Sequence, residues 1–294
     1  MYIRVATTIG HISRSNLFTT MTNQYLDNYR QQSLRRAQLK MLHILEEIDR
    51  ICKANDIHYW IEGGTLLGAM RHGGFIPWDD DLDVSMMRQD YLKFLSIAPK
   101  ELSDTMFLQT RHTDPTIAFR ACKVRDLNSY IADGDDNNSR PYQKGIFVDV
   151  FPYDKAPSKA RRYMGKVARA ICIADTTLHK PHPYSWRSVV SLFYFGIKRP
   201  LCCMVWKMMC ALTATKDFVA IDPYFSWCRA IHPSKNIFPL TEVCFEGKMF
   251  PAPAKPDEYL TTLYGNWRKV PPKEKQQIHS MIIVPELSVS PKEQ

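Results

Sequence analysis

The sequence predicts an α+β fold, with a mixed α and β N-terminal half that carries one catalytic core and a helical half behind it. Two patterns and one bulk property lead there. Short β-like runs at 57–61, 82–86, 118–125 and 145–151 are interleaved with helical periodicity in the first half. After Pro157 the pattern turns mainly helical, up to about residue 231. A chain of 294 residues with 45% hydrophobic side chains can bury a full core, which excludes general disorder.

Residues 1–32 read as an N-terminal extension, with Arg4 and Arg14 but no apolar run long enough for a signal peptide. Over 33–54 an amphipathic helix is expected, because Leu34, Leu39, Leu42, Leu45, Ile48 and Ile51 recur at near-helical spacing. Asn55-Asp56 stops it, and the strand at 57–61 ends at Glu62-Gly63-Gly64. A short helix at 65–71 is closed by His72-Gly73-Gly74. In this strand–Gly-Gly–helix order the glycines let backbone amides approach an anion, and the helix N-terminus adds a favourable partial charge.

Phe75-Ile76-Pro77-Trp78 leads into Asp79-Asp80-Asp81-Leu82-Asp83, then the strand at 82–86 and a helix at 88–97. A polar, turn-rich segment at 133–140 separates the strands at 118–125 and 145–151, and Asp154 beyond Pro152 reads as a turn residue. The tail from Thr241 is rich in Pro and aromatics and holds Tyr264-Gly265-Asn266-Trp267. The resulting division is an extension (1–32), a catalytic core (33–156), a helical cap (157–240) and a C-terminal segment packing on the core (241–294).

Residues 188–214 are strongly apolar, but Lys198-Arg199-Pro200 and Lys207 interrupt them, leaving pieces shorter than the ~20 residues of a spanning helix. A buried cap is expected, with peripheral membrane contact as the other reading. The formal charge of +9, spread along the chain with a local run at Arg161, Arg162, Lys166 and Arg169, implies polyanionic company without choosing which. Eight irregularly spaced cysteines form no Cys-x-x-Cys pair and no disulfide framework, which favours a reducing compartment.

The chemistry concentrates in the acidic run. Asp81 and Asp83, two apart on the expected strand, point to one face with Cα atoms roughly 7 Å apart, while Asp80 points to the other. Two converging carboxylates suit a hard divalent cation that neutralises phosphate charge. Asp149 is the third carboxylate, a single charge inside the apolar run Ile146-Phe147-Val148-Asp149-Val150-Phe151. A lone buried carboxylate is costly unless paired or metal-bound. Arg71, Lys123 and Arg125 are candidates to hold a phosphate, each with an ordinary surface charge as the alternative. His72 either donates to a phosphate or simply ends its helix.

The run from Tyr59 through Glu62-Gly63-Gly64-Thr65-Leu66-Leu67-Gly68 to His72, then Gly74 to Asp83, resembles the signature of the LicD family. Gly145-Ile146-Phe147-Val148-Asp149-Val150-Phe151-Pro152 agrees with it, as do Phe245-Glu246-Gly247, Pro251-Ala252-Pro253, Tyr259-Leu260, Tyr264-Gly265 and Pro271-Pro272. The resemblance spans about residues 34–280 and is weakest in the helical middle. It implies a polymerase-β-like nucleotidyltransferase core and transfer of phosphocholine or a similar phospho-headgroup from a CDP-linked donor, CDP-choline among them, to a glycan or lipid-linked glycan.

On that resemblance Gly63, Gly64 and Thr65 bind the nucleotide phosphates, while Asp81, Asp83 and Asp149 hold Mg2+ or Mn2+. Glu62 and Asn266 depart from residues common in the family and bear on donor or acceptor choice. The competing reading is a true nucleotidyltransferase acting on a small acceptor or nucleic acid, although no nucleic-acid motif is present. A third is a scaffold with a degenerate site. The expected location is cytoplasmic, at the inner face of the membrane.

Overall fold

The structure, a computed structural model, describes residues 14–117, 119–133, 141–157, 161–179, 182–225, 230–276 and 278–287. Its first element is a single long helix, α1 (Arg14–Ala54), so the helix expected over 33–54 begins about five turns earlier, inside the stretch read as an extension. From residue 34 onward α1 buries Leu34, Ala37, Met41, Ile44, Leu45, Ile48, Ile51 and Cys52. Leu39, placed on the buried face by its spacing, is instead 48% exposed, and Met41 and Ile44 take the central positions.

Strand β1 (Tyr59–Ile61) follows, then α2 (Gly63–His72), capped by Gly73 in the left-handed conformation with its N–H returned to the Ala69 carbonyl. Next come β2 (Asp83–Met87), α3 (Arg88–Glu101), β3 (Met106–Gln109), β4 (Cys122–Asp126), β5 (Tyr130–Asp133) and β6 (Phe147–Pro157). Residue 118 and most of the expected turn, 134–140, lie outside the described residues. Asp154 is not in a turn: β6 continues through Pro152, and Asp154 pairs with Arg88 at 2.5 Å. The strand tolerates the proline because its carbonyl is still used, accepting from the Asp222 N–H at 3.1 Å.

After α4 (Arg161–His179) and α5 (Trp186–Thr213) the chain returns to strands β7 (Ala214–Ile221) and β8 (Ile231–Pro233). The expected helical half is therefore a helical pair alone. Behind it lie a short helix α6 (Ser234–Ile237), the hairpin β9 (Thr241–Phe245) and β10 (Lys248–Ala252), helix α7 (Pro256–Tyr264) and strand β11 (Ser280–Val284).

The main sheet is mixed and runs β1-β2-β6-β4-β3, with β7 added to β6 and β8 to β7. β2 and β6 are parallel, whereas β4 is antiparallel to β6. The α+β class holds. The core is continuous from α1 through the sheet to the tail, where Phe245, Phe250, Tyr259, Leu260 and Trp267 are buried with Trp60, Phe94 and Val148. Two ladders tie the tail down: β11 pairs with β5, and Asp80 accepts the backbone N–H groups of Ser280 (2.6 Å) and His279 (3.2 Å).

Against the expectation of a buried cap, α5 is one continuous 28-residue helix with no buried residue. Lys198, Arg199 and Pro200 interrupt its hydropathy but not its backbone. Arg199 is drawn instead to Asp175 of α4 at 2.9 Å.

Candidate active site

One rung of the sheet assembles the centre. Asp83 of β2 sits opposite Asp149 of β6, and Asp149 sits opposite Lys123 of β4. Residues in register on adjacent strands share a face, so the three side chains converge. All three residues are buried, at 4%, 7% and 8% exposure respectively. The Lys123 ammonium lies 2.7 Å and 2.9 Å from the two oxygens of Asp149, and 3.4 Å from the centroid of the Phe147 ring. Burial pulls the Lys123 pKa down and the Asp149 charge opposes that pull.

The acidic run reaches the rung only in part. Asp83 opens β2, but Asp81 precedes it in irregular backbone and is partly exposed, so the alternation expected for the pair does not apply. Asp81 still lies near enough to Asp80 and Asp149 for their charges to act on it, and Asp79 hydrogen-bonds to it. Burial is the main cause of its raised pKa, and the hydrogen bond from Asp79 opposes it. Asp79 is pushed up to about 9, first by burial and then by Asp81. Asp83 is raised well above the carboxylate range, first by burial and then by Asp81 and Asp149. Asp80 is turned to the tail, where it accepts the His279 and Ser280 N–H groups and serves as an anchor.

Around the rung, Gly63 opens α2 with φ 54°, a left-handed value that favours glycine. A Cβ on Gly64 would stand 2.8 Å from Asp79 Oδ2, so that glycine admits the acidic run against the helix start. Glu62, the N-cap, makes no side-chain cap bond, leaving the first N–H groups of α2 without an intrahelical acceptor. The Thr65 hydroxyl accepts the Asp83 N–H at 2.8 Å in a buried position, which fixes where β2 begins.

Arg71 is held by the Trp267 carbonyl at 3.0 Å and donates to His72 Nε2 at 2.9 Å; burial lowers its pKa and Asp79 opposes the shift. His72 is exposed beside the helix end. Arg125 is not turned to the rung. It is buried, bonded to Gln109 Oε1 and the Gly145 carbonyl, because β3 and the start of the 145–151 segment offer it acceptors.

The contacts of two residues named in the sequence only as part of the family pattern emerge in the structure. Glu62 is fully buried beneath β1 and accepts from Tyr153 at 2.5 Å and Tyr259 at 3.0 Å; the two phenols are 2.8 Å apart. Burial pushes Glu62 up to about 7, opposed by the two tyrosines. Its partners lie 91 and 197 residues away, a distance no local pattern reveals. Tyr264 keeps 43% of its surface exposed, yet its hydroxyl is raised by burial and then by the charges of Asp83 and Glu62, which places it beside the cluster. The Tyr-Gly pair at 264–265 had carried only the family pattern.

The donors gathered here are carboxylate oxygens, suited to a hard divalent cation. The raised pKa of Asp83 shows that the cluster cannot hold all its charges unaided, so the residues fit such an ion. Asp81, Asp83 and Asp149 do not form a closed ligand set. Among the described residues the three groups whose ligand atoms already lie within 4.8 Å of one another are Asp79, Asp80 and His279.

Residues 56–169, which contain the rung, match the LicD/FKTN/FKRP nucleotidyltransferase domain family. The lipopolysaccharide cholinephosphotransferase LicD of Haemophilus influenzae is 28% identical over 271 residues, which cover 84% of this chain and 96% of that protein. An uncharacterised protein of Rickettsia prowazekii is 30% identical over 142 residues, 48% of each chain. Ribitol 5-phosphate transferase FKRP of Homo sapiens is 50% identical over 40 residues, 14% of this chain and 8% of that one. A family match over residues 56–169, which hold Asp83, Asp149 and Lys123 on one rung, and a relative aligned along nearly its whole length make the chain a LicD-like phosphotransferase.

Proposed function

We propose that this enzyme transfers phosphocholine or a similar phospho-headgroup from a CDP-linked donor to a hydroxyl of a cell-surface glycan or its lipid-linked precursor, on a nucleotidyltransferase-type core. The observation that carries the reading is the Asp83–Asp149–Lys123 rung, which sets two carboxylates and one ammonium on one buried face. The activities of the relatives, cholinephosphotransfer and ribitol 5-phosphate transfer, are both movements of a substituted phosphate, and they support the same class.

In this reading the open N–H groups at the start of α2, at Gly63 and Gly64, hold the donor phosphates, as helix N-termini do. Arg71 adds charge from the far end of α2. Asp149 takes the proton of the acceptor hydroxyl, with Lys123 fixing its orientation and favouring its ionised form. Thr65 acts through Asp83, whose N–H it accepts, and is a positioning residue rather than a phosphate ligand. Mg2+ or Mn2+, when bound among Asp81, Asp83 and Asp149, supplies neutralisation of the phosphate charge. CMP then leaves. We place the reaction in the cytoplasm, at the inner face of the membrane; the free thiols of the seven described cysteines support a reducing compartment.

Incubation of the purified chain with Mg2+, a series of CDP-linked donors and candidate glycans tests this directly. Release of CMP with a phosphocholine-like mass increment on the acceptor is expected. A nucleoside monophosphate increment would overturn headgroup transfer in favour of nucleotidyl transfer.

A further inference from the structure

α5 is long and apolar enough to cross a bilayer, yet the molecule covers none of its most apolar window. Its less exposed positions, Phe195, Lys198, Cys202, Trp206 and Met209 among them, recur at helical spacing. They mark the face turned to the protein, where Trp206 and Met209 pack against the core. The opposite face presents Val189, Phe193, Ile197, Leu201, Met204 and Leu212, with Phe193 72% and Leu212 76% exposed. Lys207 is the charge that interrupts it. Contiguous apolar surface of this kind on a folded protein marks a docking site.

The charge around that face selects the partner. Across the hairpin, residues 161–213, the sequence holds nine Lys and Arg and a single acid, Asp175, against a net charge of +9 for the whole chain. Asp175 is itself buried, and Arg111 and Arg199 bind it at 3.1 Å and 2.9 Å. The exterior of the hairpin thus presents no carboxylate among its described residues. At the start of α5, Tyr184 and Trp186 are strongly exposed, with Tyr194 a little further on. Amphipathic rings of this type settle at the headgroup level of a membrane.

We propose that α5 lies in the plane of an anionic lipid bilayer, its outer face among the acyl chains and the basic residues of the α4–α5 hairpin against the headgroups. Crossing is opposed by the helix's own attachments. Arg199, at mid-helix, is tied to Asp175, Trp206 packs on the core, and the C-terminal end runs directly into β7 of the catalytic sheet. A second copy of the chain fits poorly, because two uniformly basic hairpins would meet without an acidic partner. The surface stands on the hairpin alone; its meaning, that the acceptor is lipid-linked, rests on the proposed transfer reaction.

Sedimentation of the full chain with vesicles of phosphatidylcholine, with and without phosphatidylglycerol, tests the proposal without any turnover. Binding to the anionic vesicles that weakens with salt is expected. Phe193→Glu with Met204→Glu should lower the vesicle partition at least tenfold, with an unchanged thermal melt confirming the fold. Arg187→Gln with Lys207→Gln should lower it about fivefold per charge removed. Absence of binding to anionic vesicles, or equal binding by the Phe193→Glu, Met204→Glu variant, would overturn it. So would a wild-type dimer in solution that the same variant converts to a monomer, which assigns the face to a second copy. Because the readout is binding, failure here leaves headgroup transfer standing, and failure of transfer leaves the membrane surface standing.

Discussion

The β2–β6–β4 rung and the α4–α5 hairpin break the ordinary rule of burial in opposite directions. At the rung, charged groups are sequestered: Asp83, Asp149 and Lys123 are each less than 10% exposed, and Glu62 lies fully buried beside them. On α5, side chains that elsewhere fill cores face outward, Phe193 and Leu212 at more than 70%. Both arrangements cost free energy in the isolated molecule, the first through desolvation and the second through unburied apolar surface. The difference lies in what each one lacks. The rung needs opposite charge, which Lys123 supplies only in part, while the helix needs an apolar medium. Substitutions that remove the cost should therefore uncouple folding from function at the rung, and leave folding untouched at the helix.

The largest effect is expected at Asp83. Asp83→Asn should lower CMP release by about 10³-fold, the scale of losing a principal electrostatic stabiliser. The melting temperature should stay equal or rise, since a charge repelled by Asp81 and Asp149 is gone. Full activity in this variant would end the assignment of the rung. Lys123→Met comes next. It leaves the Asp149 carboxylate buried without its ammonium, at a cost of about 3–5 kcal/mol in urea unfolding. Adding Asp149→Asn should recover much of that loss in stability and none in turnover. An unchanged unfolding midpoint for Lys123→Met would show that the pair does not hold the rung together.

Glu62 provides a pH test. Its pKa is raised to about 7 in the folded chain from the ordinary carboxyl value of 4.5. The folded state thus binds the extra proton between those values. The corresponding stability is fully present below the unfolded pKa and is lost as pH rises through about 7. Thermal melts from pH 5 to 8 should show Glu62→Gln gaining on the wild type by at most about 3 kcal/mol. Parallel curves would remove the charge argument from this carboxylate. The smallest effect belongs to the helix: Phe193→Glu should change unfolding free energy by less than about 0.5 kcal/mol, as for other exposed positions. A large loss would mean that the face is covered in the free protein.

The sequence made the rung legible because its signals are local. A lone Asp inside Ile146–Phe151 reads as an expensive charge wherever the strand is placed, and the glycine pair before the short apolar run 65–71 reads as a helix start. What stayed hidden depended on distant partners. Arg125 looked as free to reach the site as Lys123 until Gln109 and Gly145 were seen to bind it. Glu62 looked like a family variant until Tyr153 and Tyr259 closed over it. Lys198-Arg199-Pro200 looked like a break because hydropathy averages along the chain, whereas Arg199 is satisfied across the hairpin. The return of the chain as β7 beside β6 has no local signature, since edge pairing of this kind is decided by packing.

β6 gives the two regions a common scale. Asp149 lies near its start and Asp154 near its end, where Arg88 and Asp222 complete a cluster that faces Trp206 and Lys207 of α5 across a groove. Five residues of extended chain separate those aspartates, about 16 Å. With α5 seated on a bilayer as proposed, that length of strand is the rigid spacer between the catalytic carboxylate and the lipid-facing helix.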